Sequence, residues 1–289
     1  MRSRIVLASI TAIVVLVGAG IFVATRMFNS ALPPLLRSEY CTAQAGSGLV
    51  TIGVDQMADA ATIVAVGIRK GVPSRAVEVA LATSLQESKL RNLTGGDRDS
   101  IGLFQQRPSQ GWGTAKQIAD PRYAADRFYG ALMHVKGWQS MSITAAAQSV
   151  QRSAHPDAYA KWATEATTLS KALLGDASHA VDCYVGSTPA TRGPAAIGTL
   201  TTNLRHDWGS LLDTLPAHTP DTVSLAVDGT QAGWQYAHWL VAHAESSGIM
   251  RVRFGNLQWT AKAGGWSAAG VPDGPAAGET VVAQVFATK

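Results

Sequence analysis

Two cysteines, Cys41 and Cys183, are the only ones in this chain of 289 residues, and they bracket its most regular stretch. If they are joined, everything between them must fold so that its two ends meet. An even pair in a chain that carries an export signal reads as a disulfide, a bond that persists only in an oxidising compartment. A loop this long stands to gain roughly 4–5 kcal/mol in the chain-entropy model, less any strain. The alternative is a pair of free buried thiols in a cytoplasmic domain. Neither cysteine has a Cys or His partner at ligand spacing, so no metal and no cofactor is expected.

The export signal lies upstream. Ile5 to Thr25 is uninterrupted apolar or small sequence, with Arg2 and Arg4 before it and Arg26 after. About twenty residues at 1.5 Å each cross a bilayer core. The run exceeds the apolar region of a cleaved signal peptide, and Arg26-Met27-Phe28-Asn29 offers no small-x-small cleavage site. An uncleaved anchor over 1–27 is the expectation, with the body extracytoplasmic; cleavage would make the protein secreted. The net charge of +4 suits an anionic surface such as acidic lipid or acidic wall polymer. No dense Lys/Arg run is present, so nucleic acid is not an expected partner.

Leu32-Pro33-Pro34 starts a tether that extends over 28–53. Helical patterning follows over 54–184. Asp55 can cap a helix that stops at Gly71, and Ser74 can cap the next, whose apolar positions Val77, Ala80, Leu81 and Leu85 keep helical spacing. Asp120-Pro121 opens a helix closed by Gly137, Ser142 opens another through Val150, and a long one ends near Gly175. An all-α domain is expected here. Residues 185–198 lack periodicity and read as a linker. In 199–289, Val223–Val227 alternates like a strand and Gln231–Ser247 is amphipathic. Arg251–Phe254 and Leu257–Thr260 flank the hairpin signal Gly255-Asn256, and Glu279–Ala287 supplies a last strand. That composition fits a small α+β domain, a docking module for wall polymer or a protein partner.

Chemistry concentrates between Ser84 and Gln105. Glu87 closes an apolar helix on the edge of its buried stripe. Breaking a sugar–sugar bond needs a proton delivered to the leaving oxygen, and a carboxyl pressed against apolar side chains keeps its proton to higher pH than a solvated one. A polar loop follows, and then Ser100-Ile101-Gly102-Leu103-Phe104-Gln105, where glycine permits close backbone approach and a glutamine amide both donates to and accepts from hydroxyls.

Glu87-Ser88, the loop and this segment together resemble the catalytic signature of lysozyme-like glycosidases, nearest to soluble lytic transglycosylases and goose-type lysozymes. The likeness covers residues 75–108 well and reaches loosely to about 170. It implies that Glu87 is the general acid, that Gly102, Leu103 and Gln105 line the groove beside Ser88, and that the substrate is the glycan strand of peptidoglycan. Phe104 stands where methionine is usual. The Ala-Tyr-Asn-Ala-Gly-Pro-Gly run of transglycosylases is replaced by Ala147-Gln-Ser-Val-Gln-Arg-Ser-Ala-His-Pro-Asp-Ala-Tyr159, leaving Gln148, Gln151 and Tyr159 either as polar groove residues or as helix-surface and packing residues.

Asp97 and Asp99 have two readings: turn chemistry in Gly-Gly-Asp-Arg-Asp, or, for Asp97, a second carboxylate that activates water in a hydrolase. Lytic transglycosylases use one glutamate, so hydrolysis and transglycosylation both stay open. Trp112, Tyr123, Trp138 and Trp162 are either core or sugar-stacking residues, with Trp112 the best placed for a sugar. His238 and His243, five apart, fall on different helix faces and are read as packing or surface residues rather than zinc ligands. The expected function is a membrane-anchored peptidoglycan-cleaving glycosidase; the alternative is a non-catalytic wall-binding or scaffold protein on the same fold.

Overall fold

The computed structural model describes residues 39–152, 157–186, 189–212, 217–270 and 279–288. The first ordered elements are strands. β1 (Tyr40–Ala45) turns at Gly46, whose backbone is left-handed, and returns as β2 (Gly48–Ile52). β3 (Val181–Tyr184) adds antiparallel to the other edge of β1, giving the order β2-β1-β3. Cys41 and Cys183 face each other directly across β1 and β3 and form a disulfide.

Between these strands run the helices. α1 (Val54–Arg69) ends as expected before Gly71, which takes a left-handed conformation that suits glycine. α2 (Ser74–Glu87) begins after Pro73, and Ser74 is its first residue rather than its cap. Ala76, Val77 and every residue from Val79 to Leu85 are buried, because α2 is enclosed by its neighbours. α3 (Ala115–Ile118) is a single turn capped by Thr114. α4 (Pro121–Met133) starts at Asp120, whose carboxylate accepts from Arg122 N at 3.0 Å. α5 (Ile143–Gln151) is capped by Ser142, and α6 (Ala163–Leu173) completes the shell around α2 together with α1, α4 and α5.

The stretch read as a linker turns helical at Gly193. α7 (Gly193–Trp208) leads to β4 (Ala217–His218), β5 (Thr222–Ala226) and α8 (Thr230–Ala242). β6 (Ile249–Phe254) and β7 (Leu257–Thr260) form the hairpin at Gly255-Asn256, followed by β8 (Gly265–Ala268) and β9 (Thr280–Val285). The antiparallel sheet has the order β4-β5-β9-β6-β7-β8. α8 packs on β6 and β9 and also on α1, α6 and β3, so it is buried on both sides.

Tyr40–Val185 and Pro189–Lys289 form one unit. Three contacts explain the union. Trp259 Nε1 and Trp266 Nε1 donate to the carbonyls of Cys183 and Val181 on β3, at 3.1 and 2.9 Å. His238, fully buried, accepts from Ala180 N at 3.0 Å and lies 2.7 Å from the Ala172 carbonyl, which fixes the proton on Nδ1. Asp207, at the end of α7, is the third. Its carboxylate accepts from Thr62 Oγ1 of α1 at 2.9 Å, from Trp239 Nε1 of α8 at 2.8 Å and from Arg122 Nε of α4.

The expected fold class needs correcting. The region is not an all-α domain: residues 40–52, read as tether, are a β-hairpin, and the chain that closes the helical region comes back as its third strand. The strands are short, and the three-residue burial run Cys41-Thr42-Ala43 hides the alternation that marks a strand in sequence. The membrane segment read over 5–25 lies outside the described residues. Among the described residues no helix is long and apolar enough to cross a membrane.

Candidate active site

Glu87 is the last residue of α2, half-buried where the helix meets solvent. Tyr159, itself fully buried, donates its hydroxyl to Glu87 Oε1 at 2.7 Å. Beside the acid, Trp162 Nε1 donates to Gln86 Oε1 at 2.9 Å, and Lys89 Nζ sits 4.3 Å from the centroid of the Trp162 ring. Burial, and then the charge of Lys161, hold the Lys89 ammonium below its ordinary range, with Glu87 opposing them.

The chain leaves α2 through two left-handed residues, Lys89 and Leu90. Leu90 is plugged into the core. Ser88 is buried and ties the turn together: its hydroxyl donates to the Leu103 carbonyl at 2.8 Å and accepts from Arg91 N at 3.2 Å. Residues 101–106 form a tight loop closed by paired hydrogen bonds between Ile101 and Gln106. Within it Gly102 has φ +76, and a Cβ there would meet the Ile118 carbonyl at 2.8 Å, so only glycine fits. Leu103 and Phe104 turn into the core, where Phe104 stacks on Phe128 with centroids 4.7 Å apart. Gln105 turns outward with φ +47.

The result is an open groove of about 690 Å³, lined by Gln86, Glu87, Asp97, Arg98, Ser100, Gln105, Arg107, Gln110, Trp112, Gln151 and Arg152. No aliphatic side chain takes part. Gln110 and Trp112 also border two neighbouring depressions of about 530 and 510 Å³, so the trough continues past the indole toward His134. Gln105 packs so closely on Gly96 that a methyl there would fall 1.7 Å from Gln105 Oε1.

The expected site residues divide into four sets. Glu87, Gln105, Trp112 and Asp97 meet in the groove. Tyr159 does not line it but reaches the acid from behind. Ser88, Gly102 and Leu103 are buried scaffold, corrected from groove-lining residues, because the loop needs a core anchor on each side of its one outward residue. Gln148 on α5 lies outside the groove, while Gln151, one turn on, lines it and donates to the Phe104 carbonyl at 2.7 Å.

Asp97 is held weakly. Its side chain is 88% exposed, and its nearest cation, Arg98 Nε, is 3.8 Å away. Asp99 is held firmly: Arg107 Nε at 2.7 Å, with Ser109 N and Oγ, keeps its carboxyl well below the ordinary range. Trp138 is core, and the Tyr123 hydroxyl donates to the Trp112 carbonyl at 3.1 Å. Sequence reasoning missed Arg98, Arg107, Gln110 and Arg152, which carry no motif. Gly95-Gly96-Asp97-Arg98-Asp99 signals a turn without saying which way its side chains face.

Among the described residues no group of His, Cys, Asp and Glu side chains could hold a metal ion. His238 has both ring nitrogens engaged, and burial pushes it down to about 3. Compared with known proteins, the chain matches no protein-family model and no curated protein.

Proposed function

We propose that this protein is an extracytoplasmic glycosidase that cleaves the glycan strands of peptidoglycan with Glu87 as general acid. The observation that carries the reading is the half-buried Glu87 carboxyl in the wall of an open trough of polar side chains and one indole, gripped from behind by a buried tyrosine. With Oε1 accepting from Tyr159, Oε2 is the oxygen left to exchange a proton with a bound molecule. Its proton passes to the glycosidic oxygen as the C–O bond breaks, and the leaving sugar departs as an alcohol. Glutamine amides supply donors and acceptors for sugar hydroxyls, and Trp112 offers a face for a ring. The cross-strand disulfide supports placement in an oxidising compartment.

Of the two carboxylates that line the groove, Glu87 and Asp97, only Glu87 is held in place by its surroundings for proton transfer. Asp97 is solvent-exposed and Asp99 is occupied by Arg107 and Ser109. This supports a one-glutamate cycle, in which the Glu87 carboxylate takes back a proton from the sugar's own 6-hydroxyl as that oxygen closes on the anomeric carbon, over an inverting hydrolysis that needs a second placed base.

The test is release of muropeptides from purified sacculi by the full chain with its disulfide formed, beside Glu87→Gln and Tyr159→Phe. Wild type should release 1,6-anhydro products and Glu87→Gln none, with Tyr159→Phe slowed about tenfold by loss of one hydrogen bond to the acid. Sacculus binding without release by wild type would overturn the enzymatic reading in favour of a wall-binding protein.

A further inference from the structure

Two arginines at the groove are unexplained by the fold. Arg98 and Arg152 both line it, from opposite sides in sequence: one from the loop after α2, the other from the C-terminus of α5. Three other arginines pair with carboxylates within the fold. Arg107 grips Asp99, Arg122 grips Asp207, and Arg75 holds Glu78 and the Met141 carbonyl. Among the described residues no carboxylate pairs with Arg152, and Arg98 meets only Asp97, at 3.8 Å with both side chains largely solvated. Both also occupy left-handed backbone, with φ +57 and +50, where glycine or asparagine would be favoured. A long cationic side chain at such a position is a choice the local backbone resists, and non-glycine residues in that region collect at ligand sites.

We infer that Arg98 and Arg152 form an anion subsite beside Glu87, which binds a negatively charged substituent of the glycan. The inference rests on the proposed glycan-cleaving function and names the feature of the substrate that the groove selects. A planar guanidinium matches both carboxylate and phosphate in two-point contact, and among the described residues the arginines would give up only the solvated Arg98–Asp97 pair. The four glutamines and Trp112 take the neutral sugar, and the arginines distinguish a charged polymer from an uncharged one. On a peptidoglycan strand the anion is a carboxylate of the peptide substituent or a phosphate of an attached wall polymer; the chemistry of recognition is the same.

The experiment uses the full chain as wild type, Arg98→Gln, Arg152→Gln and the double variant. Each is assayed for turnover, and each is repeated on the Glu87→Gln background for equilibrium binding without turnover. The substrates are intact sacculi, sacculi with their carboxylates amidated, sacculi stripped of phosphate polymer, and a neutral N-acetylglucosamine oligosaccharide. Each single variant should raise KM on intact sacculi about tenfold, equivalent to ~1.4 kcal/mol, with kcat within about twofold. Binding should weaken in parallel. The penalty should vanish on amidated sacculi if the anion is a carboxylate, or on stripped sacculi if it is a phosphate. Equal KM and equal binding for wild type and the double variant on every substrate would overturn the subsite while leaving the glycosidase reading intact. Arginine-dependent binding without turnover by wild type would uphold the subsite and overturn the glycosidase reading. Absence of any glycan binding would overturn both.

Discussion

Replacing Asp207 tests how the molecule is held together. Its carboxylate is completely inaccessible and accepts from three donors on three helices: Thr62 Oγ1, Trp239 Nε1 and Arg122 Nε. Asp207→Ala would strand one buried donor, Trp239 Nε1, at about 1–3 kcal/mol, and would weaken a second at smaller cost, because Thr62 Oγ1 keeps only His243 Nε2 at 3.3 Å. It would also leave the Arg122 guanidinium unpaired. Arg122 keeps 23% of its side chain exposed and recovers part of its hydration, so its loss falls below the ~3–5 kcal/mol typical of breaking a buried pair. A total of about 5 kcal/mol is expected, a large share of the ~5–15 kcal/mol that holds a typical domain. At ~2–4 °C per kcal/mol for a chain of this size, the melting temperature should fall by about 10–20 °C. Replacing the pair by Asp207→Leu with Arg122→Met should cost less than Asp207→Ala alone, because no charge is then stranded. Urea unfolding followed by tryptophan fluorescence and far-ultraviolet dichroism reads the result. A loss under about 1 kcal/mol, or two separate transitions in the wild type, would refute the argument that this node joins the helical region to the six-stranded sheet.

Other consequences follow from the same structure. Cys41→Ala with Cys183→Ala opens a loop of 142 residues, for which the chain-entropy relation gives about 5 kcal/mol of lost stability, measurable in the same urea titration; no change would mean the bridge is dispensable. Half-buried Asp59 and buried His238 give opposing pH dependences. Burial raises Asp59 to about 7, so its protonated form favours the fold and that contribution is lost as pH rises from about 4 through 7; Asp59→Asn should gain on wild type across this window. Burial lowers His238 to about 3, so its contribution is present above pH ~6.5 and lost as pH falls toward 3, and His238→Gln should flatten the acid limb of the stability curve. Gly96→Ala should displace Gln105 and impair glycan cleavage, while an exposed substitution of this kind shifts stability by no more than about 0.5 kcal/mol.

The helices were legible because their signals are local. Gly71, Asp120-Pro121 and Ser142 mark boundaries that the structure keeps, and Gly255-Asn256 marks its hairpin. The third strand of the small sheet was not legible, because it joins by pairing residues 40–43 with residues 181–184, and nothing in either segment names the other except the cysteines. Those cysteines, read as a covalent bond, were also a statement of strand register, with Cys41 opposite Cys183. The union of the two sections was hidden for a similar reason. Asp207, His238, Trp259 and Trp266 look like ordinary helix or strand residues until their partners, drawn from distant sequence, are placed beside them.

At the groove the sequence misleads for a more informative reason. The described non-glycine residues with left-handed backbone are Lys89, Leu90, Arg98, Gln105, Arg152 and His179, and all but His179 flank Glu87 or its groove. Local propensity argues against each of them, and a fold selected for stability alone would carry glycine or asparagine there. Conflict between local preference and global structure, concentrated at one place, is what a site selected for its chemistry leaves behind. A left-handed conformation costs a non-glycine residue about 1–2 kcal/mol, while glycine adds roughly 0.5–1 kcal/mol of chain entropy to be lost on folding. Arg98→Gly and Arg152→Gly should therefore be neutral or stabilising by up to about 1 kcal/mol, whereas the control Ala145→Gly, exposed within α5, should cost about 0.5–1 kcal/mol. Equal destabilisation at all three positions would show that the two arginines support the fold rather than the groove.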